Sequence, residues 1–209
     1  MKTQLTDWLT PENSALILVD HQTGISNGVA DMSQTEFQNN VVALAKVGQM
    51  FELPSVITTS AADGPNGPLL SSITDVLPDA PIIHRPGQIN AWDCEEFVAS
   101  VKKLDRKKLI MAGVSTDVCL AFSAIAAIKE GYEAYAVVDA SGTWNQLVAQ
   151  TATLRMVQAG VIPMTWVAIA AELQNDWRKP TGEQLAEIMG EHLPFYGNVI
   201  SSFLTANKS

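Results

Sequence analysis

The residue best suited to chemistry is Cys119, which ends the stretch Gly113-Val114-Ser115-Thr116-Asp117-Val118-Cys119. An apolar run over residues 108–112 precedes this stretch and predicts a buried strand, and residues 120–130 predict a helix. Ser115 or Thr116 is suited to cap that helix, because a hydroxyl oxygen can accept a hydrogen bond from a free N–H group of the first turn. The partial positive charge at a helix N-terminus favours a nucleophilic thiolate, and the free N–H groups there can bind an oxyanion.

A structural role for the same cysteine stays open on this stretch alone. A single cysteine before an alanine-rich helix is often a small, buried apolar residue. The second cysteine, Cys94, lies at a predicted helix start beside Glu95 and Glu96. The two acidic neighbours disfavour a thiolate, so we assign Cys94 a structural role.

Two further ionisable residues follow predicted strands in the same way as Cys119. Asp20 comes directly after the apolar run of residues 15–19, and Arg85 follows a short strand over residues 81–84. In open parallel sheets, ligands bind beyond the carboxyl ends of the strands, where the strand order reverses. We therefore expect Cys119, Asp20 and Arg85 to converge, with Asp20 as the base for the thiol. Arg85 would stabilise the thiolate or orient Asp20, since its pKa is too high for proton transfer.

Strands and helices alternate six times along the chain. Further strands are predicted over residues 55–60, 132–139 and 161–166. Helices are predicted over residues 33–53, 69–76, 93–103 with Asp93 as N-cap, 116–130, 146–159 and 167–177. This alternation predicts an α/β domain over residues 1–180, with a mostly parallel six-stranded sheet covered on both faces. Residues 181–209 are predicted to form a C-terminal helical tail that packs on the core or on a neighbouring subunit.

The composition describes a globular protein with a large core and an acidic surface. Of 209 residues, 22 are acidic and 13 are basic, which gives a formal net charge of −9. This charge argues against nucleic acid or an anionic membrane as a partner, because both require clustered Lys and Arg. The N-terminal residues lack the apolar segment of a signal peptide, and no run is apolar for the length of a membrane span. We expect a cytoplasmic protein with reduced thiols and a small-molecule substrate.

The helix after Cys119 is apolar on nearly all sides. A helix without a polar face is buried all round, either at the centre of the domain or against another subunit. The predicted tail also carries many apolar residues, which need a surface to cover. We therefore expect a homo-oligomer, with a well-covered monomer as the alternative.

Several motifs resemble the isochorismatase-like cysteine hydrolases. They are the segments 18–20, 85–87 and 112–119 and the run Asp139-Ala140-Ser141-Gly142-Thr143, within a similarity that covers roughly residues 10 to 180. The segments 85–92 and 164–166 are similar to the YcaC-like branch in particular. The resemblance implies a three-layer α/β/α fold with a Rossmann-like strand order, a catalytic triad, and a homo-oligomer for which an octamer is the candidate.

By the same resemblance, Cys119 is the nucleophile and Asp20 is the base. Arg85 stands where most relatives have lysine, so its role is expected to be charge stabilisation. The family also has a cis peptide bond before the residue that matches Ser115. This bond would turn the backbone N–H groups of Ser115 and Cys119 toward an oxyanion.

Substrate and cofactor expectations follow from what the sequence lacks. Nicotinamidases of this superfamily have an Asp-x-His metal site after the second strand, and this chain has no such pair there. Isochorismatases proper cleave a vinyl ether without a cysteine nucleophile. The resemblance therefore implies a metal-independent hydrolase, without a cofactor, that acts on a small amide or related acyl substrate through a Cys119 thioester. Candidate pocket residues are Gln22, Asn90, Trp92, Phe122 and Trp144.

Two alternatives remain open beside the hydrolase. The first is an oligomeric scaffold that has kept the fold and lost its activity. The second is a redox-responsive thiol protein, because thiols with a low pKa are readily oxidised.

Overall fold

A six-stranded sheet, parallel throughout, forms the centre of the protein, for which a computed structural model describes residues 7–206. The strands are β1 (Ser14–Val19), β2 (Ser55–Ser60), β3 (Ile82–Arg85), β4 (Lys108–Gly113), β5 (Glu133–Val137) and β6 (Ile162–Met164). Their spatial order is β3-β2-β1-β4-β5-β6, so the predicted α/β class and the Rossmann-like order are confirmed. The N-terminal residues that bear on a signal peptide, 1–6, and the tail residues 207–209 lie outside the described residues.

The two central strands, β1 and β4, are buried along their whole length. They pair in parallel, and Val19 at the end of β1 lies opposite Gly113 at the end of β4. The strand order reverses between these two strands, so a crevice opens beyond their carboxyl ends. Asp20 and the segment that leads to Cys119 begin at this crevice.

Helices cover both faces of the sheet and complete three layers. They are α1 (Thr23–Ser26), α2 (Gln34–Met50), α3 (Ser71–Thr74), α4 (Glu95–Lys103), α5 (Ala121–Lys129), α6 (Gln146–Gln158), α7 (Trp166–Gln174), α8 (Gly182–His192) and α9 (Pro194–Ala206). The apolar sides of α2, α7 and α8 pack on one face of the sheet. Those of α4, α5 and α6 pack on the other. Alternate side chains of β1 enter the two cores, Leu18 on the first side and Ile17 on the second.

The prediction of Asp93 as a helix N-cap is wrong. The segment Ala91–Asp93 forms a 3₁₀ turn in which the backbone N–H of Trp92 donates to Asn90 Oδ1 at 3.3 Å. The following helix, α4, starts one residue later, with Cys94 at its N-cap position. The Asp93 side chain, which was expected to cap α4, instead accepts a hydrogen bond from Asn90 Nδ2 at 3.4 Å, and Asp93 itself belongs to the 3₁₀ turn.

The C-terminal tail divides into two parts. Helix α8 buries Leu185, Ile188 and Met189 against the core on the α2 side. Helix α9 packs against α8, and none of its described residues is buried. Within the described residues, α8 is thus the part of this segment that packs on the core. No helix within residues 7–206 combines the length and the apolarity that crossing a membrane requires.

Candidate active site

Asp20 occupies a sharp turn directly after β1. Its φ of 57° lies in the left-handed region, which is uncommon for residues other than glycine and is enriched at functional sites. Its backbone N–H donates to the Thr58 carbonyl at 2.9 Å, and its carbonyl accepts from Gln22 N at 2.7 Å. These two bonds fix the turn, and the carboxylate is fully buried.

Arg85 reaches this carboxylate from the end of β3, which is separated from β1 by β2. Its Nη2 group donates to both carboxylate oxygens of Asp20. Both side chains have a solvent exposure of 0%. A paired, fork-like contact of this kind fixes the orientation of the carboxylate as well as its charge.

Cys119 lies in a single π-helical turn, Thr116–Leu120, that connects β4 to α5. The wide turn is closed by a hydrogen bond from Leu120 N to Ser115 O at 3.1 Å. Cys119 is half-buried, and its thiol is hydrogen-bonded to the Asp20 carboxylate. The structure thus brings the three residues expected to converge into one chain of contacts, from Cys119 through Asp20 to Arg85.

Gly113 permits the close packing that places this turn. A Cβ atom at Gly113 would lie 3.0 Å from Val19 O and 3.3 Å from the Cβ atom of Leu120. Any larger residue would push the turn that carries Cys119 away from β1.

The charges around Cys119 favour the thiol and disfavour the thiolate. Burial, the negative charge of Asp20 and the hydrogen bond to Asp20 together raise the pKa of Cys119 to about 12. Burial likewise raises the pKa of Asp20, against the opposing effect of Arg85. The expectation of a thiolate stabilised by the helix N-terminus is therefore wrong for the resting site, because burial and the nearby carboxylate outweigh the helix end. The raised pKa favours the thiol form of Cys119, beside a carboxylate that can accept its proton.

The backbone before Cys119 has the geometry that the resemblance implied. The peptide bond between Val114 and Ser115 is cis. A hydrogen bond from the Ser115 backbone to the Cys119 thiol favours the thiolate and lowers the pKa of Cys119 in part. The expected hydroxyl cap is wrong, however, because the Ser115 side chain makes no capping bond. The buried Thr116 Oγ1 also has no hydrogen-bond partner among the described residues.

Residues 14–168, which form most of the chain, match the family model of the isochorismatase domain. The chain belongs to the isochorismatase family. The family resemblance of its motifs is thereby confirmed.

Curated relatives and solved structures narrow the assignment within the isochorismatase family. An Escherichia coli protein named Probable hydrolase YcaC is 46% identical over 200 residues, which cover 96% of each chain. The structure of E. coli YcaC, described as an octameric hydrolase of unknown specificity, superposes with a TM-score of 0.94, 46% identity, and coverage of 98% of this chain and 100% of that chain. YcaC from Pseudomonas aeruginosa with hexane-2,5-diol and covalent acrylamide gives a TM-score of 0.92, 47% identity, and coverage of 95% and 98%. The chain is a YcaC-like member of the isochorismatase-like hydrolases.

Two of the predicted pocket residues of this isochorismatase-family chain pack against neighbouring side chains. The indole of Trp92 donates to Ser123 O at 2.8 Å, and its ring meets the ring of Phe97 edge-on at 5.7 Å. Phe122 is half-buried, and the guanidinium of Arg155 lies over its ring at 5.0 Å. Phe122 lies in α5 and Trp92 is bonded to the same helix, so the polar and π contacts of both residues are made within the protein.

The other three candidates lie around the crevice with different surroundings. Gln22 is buried, and its amide bridges two loops by hydrogen bonds with Ser60 and Gly67. Asn90 is the half-buried cap of the 3₁₀ turn. Trp144 is 43% exposed and packs against Gly28. Of the five, Trp144 presents the largest exposed aromatic surface near the end of β5.

Sequence reasoning missed three residues around this site. Thr58 accepts a hydrogen bond from Arg85 Nε at 3.0 Å, and Thr143 donates to Asp117 Oδ1 at 2.9 Å. His21 is fully buried, and burial lowers its pKa to about 4, so its imidazole is neutral. The run of hydroxyl residues at the end of β2 was a usable signal for Thr58, since polar side chains at that edge face the crevice.

Within residues 7–206, His, Cys, Asp and Glu side chains form no group of three or more that could hold a metal ion. His21 Nε2 lies 3.0 Å from Ala140 O, and His84 Nδ1 lies 2.8 Å from Thr59 Oγ1. These contacts give both imidazoles partners within the protein.

Proposed function

We propose that this protein is a metal-independent cysteine hydrolase that acts on a small amide or related acyl compound through a Cys119 thioester. The observation that carries the proposal is the hydrogen bond between the Cys119 thiol and the Asp20 carboxylate, which is itself paired with Arg85. A weak nucleophile beside a positioned base is the arrangement that covalent catalysis requires.

In the first half of the reaction, Asp20 takes the thiol proton as the Cys119 sulfur attacks the carbonyl carbon of the amide. The negative charge moves to the carbonyl oxygen, where the N–H groups of Ser115 and Cys119 can stabilise it. When the tetrahedral intermediate collapses, the C–N bond breaks and Asp20 returns its proton to the departing nitrogen. The products of this half are a free amine or ammonia and an acyl thioester at Cys119.

In the second half, Asp20 takes a proton from a water molecule, whose oxygen attacks the thioester carbonyl. The C–S bond breaks, the carboxylic acid is released, and the proton held by Asp20 returns to sulfur. Throughout, the positive charge of Arg85 compensates the carboxylate and orients it. Deprotonation is thereby confined to the moment of attack, which agrees with a thiol that is protonated at rest.

A relative supports a reactive nucleophile in this branch. The Pseudomonas aeruginosa YcaC structure contains covalent acrylamide. Acrylamide is itself a small amide and also an electrophile that thiolates attack. In the present chain, Cys119 is half-buried beside Asp20 while Cys94 is buried in the apolar core. Cys119 is therefore the cysteine to which we assign the reactivity.

The redox-responsive alternative is not supported by the site. A sensor thiol is accessible and has a lowered pKa, whereas burial and Asp20 raise the pKa of Cys119 to about 12. The scaffold alternative retains one supporting observation, the exposed apolar side chains of α9.

We also propose that the protein is a homo-oligomer. Helix α9 exposes Phe195, Val199 and Leu204. An exposed apolar surface of this kind is typical of an interface, and the E. coli relative is described as octameric. Light scattering of the purified protein should give a multiple of the 22.5 kDa chain mass, and a monomer would contradict the proposal.

The test of the hydrolase is amine release from a panel of small primary amides. Cys119→Ser should abolish release, and Asp20→Asn should lower the rate by at least about a hundredfold, because it removes the base. Cys94→Ser is the matched control and should retain wild-type turnover. Wild-type turnover in Cys119→Ser would refute the cysteine mechanism. A panel without any hydrolysed amide, together with a Cys119 that stays unlabelled even at strongly alkaline pH, would favour the scaffold.

A further inference from the structure

The guanidinium of Arg85 has a protein acceptor for each of its five N–H groups. The Nη2 group donates to the two carboxylate oxygens of Asp20. The Nη1 group donates to the backbone carbonyls of Gln88 and Ile89. The Nε group donates to Thr58 Oγ1 at 3.0 Å. All donors of this buried cation are thus used within the protein, so its direct partners are the base, a loop and β2.

The carbonyl acceptors belong to the loop of residues 86–90, which follows β3. The loop is exposed at Gly87, and the side chain of Ile89 is 59% exposed. The loop continues into the 3₁₀ turn that contains Trp92, whose indole is bonded to helix α5. The interior of the loop is therefore held by the cation that pairs with Asp20, and the turn that follows the loop is held by α5.

Thr58 fixes the guanidinium from the strand between Asp20 and Arg85. Its hydroxyl accepts from Arg85 Nε and donates to Ile83 O at 2.9 Å, so the position of its oxygen is determined from both sides. The next residue, Thr59, is bonded to the exposed His84 instead. These two neighbouring threonines therefore provide a matched pair for experiments.

We propose that Thr58 is a positioning residue that holds the Arg85 guanidinium in place, and that Arg85, so held, fixes the loop 86–90 relative to the Asp20 carboxylate. A lysine, which the family resemblance leads one to expect here, has one nitrogen with three N–H groups. It cannot span the carboxylate, the threonine and two loop carbonyls at once. The loop of this chain therefore depends on the guanidinium fork. This inference rests on the proposed function only in calling Asp20 the catalytic base.

The experiment combines hydrogen exchange with thiol labelling in the full chain. The backbone N–H groups of Trp92, Asp93 and Cys94 are bonded to Asn90 and Ala91, so the peptide 86–94 reports opening of the loop. Arg85→Lys should speed exchange in this peptide by about tenfold or more, because it removes bonds from a charged donor. Thr58→Val should speed exchange by about threefold, and Thr58→Ser should restore the wild-type rate.

Thiol labelling separates positioning from a purely structural role. Thr58→Val lets Arg85 move away from Asp20, so the rate of iodoacetamide labelling at Cys119 should fall by about threefold at a fixed alkaline pH. Thr59→Val is the control and should change neither the exchange rate of the peptide 86–94 nor the labelling rate of Cys119. Two results for Thr58→Val would overturn the proposal: a wild-type exchange rate in the peptide 86–94, or faster exchange there with an unchanged labelling rate at Cys119. Both results can be obtained even if Arg85→Lys fails to fold. Neither measurement uses a substrate, so the result is independent of the amide hydrolysis test.

Discussion

Asp20 and Arg85 form an ion pair whose two side chains are both completely shielded from solvent, although they lie at the ends of strands, β1 and β3, that are not neighbours in the sheet. Removing two charges from water carries a large desolvation cost, which their attraction offsets only when the geometry and the further hydrogen bonds are good. Such a pair is therefore weak evidence for stability. Its position beside Cys119 indicates that orientation of the carboxylate is its main effect.

The first prediction concerns the pH dependence of labelling at Cys119. Because burial and the Asp20 carboxylate raise the pKa of Cys119 to about 12, its labelling by iodoacetamide should be slow at neutral pH and should keep rising far into the alkaline range. Asp20→Asn removes the negative charge and leaves Arg85 near the sulfur. This variant should lower the pKa of Cys119 and speed labelling at about pH 8 by at least about tenfold. Mass spectrometry of the labelled peptide measures the rate for each cysteine separately.

The Arg178→Gln variant is a suitable control for this experiment, since Arg178 pairs with Asp176 at the surface. It should leave the labelling of Cys119 unchanged. If the labelling rate of the wild-type protein levels off at a pH below about 8.5, the ordinary pKa of a free thiol, the thiolate is stabilised at rest and the prediction is wrong.

The second prediction concerns Asp139, which lies after β5. Its Oδ1 atom accepts from Trp166 N at 2.9 Å at the start of α7. Burial, together with the negative charge of Glu36, raises the pKa of Asp139 to about 6 from its ordinary value of 3.8. The folded state thus binds this proton more tightly than the unfolded state. The contribution of Asp139 to stability is therefore full at low pH and is lost as pH rises from about 4 to about 6.

Asp139→Asn keeps the acceptor for α7 and removes the buried charge. At pH 7 this variant should have a free energy of unfolding about 1–3 kcal/mol above wild type, and the difference should vanish near pH 4. Urea unfolding at several pH values measures it. His21 has a pKa lowered to about 4 and gives the opposite pH dependence over the same range. Because wild type and variant both contain His21, its effect cancels in the difference between their free energies of unfolding. Asp75→Asn, on the exposed surface, should leave the profile unchanged.

The third prediction concerns the close approach at Gly113. Gly113→Ala places a Cβ atom 3.0 Å from Val19 O, so we expect a loss of about 1–3 kcal/mol in the free energy of unfolding. The added carbon also displaces the turn that carries Cys119, so labelling of this cysteine should change as well. Gly87→Ala is the matched control, because a Cβ atom there meets nothing within 4 Å. Equal stability of the two variants would show that the turn has room to adjust.

The sequence predicted the six strands and most of the helices, because buried parallel strands are short apolar runs and amphipathic helices have a distinct period. Asp20, Arg85 and Cys119 could each be placed at a strand end for the same reason. The start of α4 was not predictable, because the 3₁₀ turn over Ala91–Asp93 takes Asp93 out of the N-cap position, and a helical pattern does not reveal such a turn. The π-helical turn at Cys119 was likewise hidden, since a helical pattern does not reveal one additional residue in a turn.

The sequence by itself determined which residues could do chemistry and that they lie at the same edge of a parallel sheet. Only the tertiary structure decided how those residues act on one another. Strand order brings Arg85 across β2 to Asp20, and burial then reverses the direction of the pKa shift that the helix end alone would give Cys119. The tertiary structure likewise decided that the polar groups of Gln22 and Trp92 are hydrogen-bonded within the protein. Charges and hydrogen bonds act over a few ångströms between residues that are distant in sequence, so their balance is set only when the chain has folded.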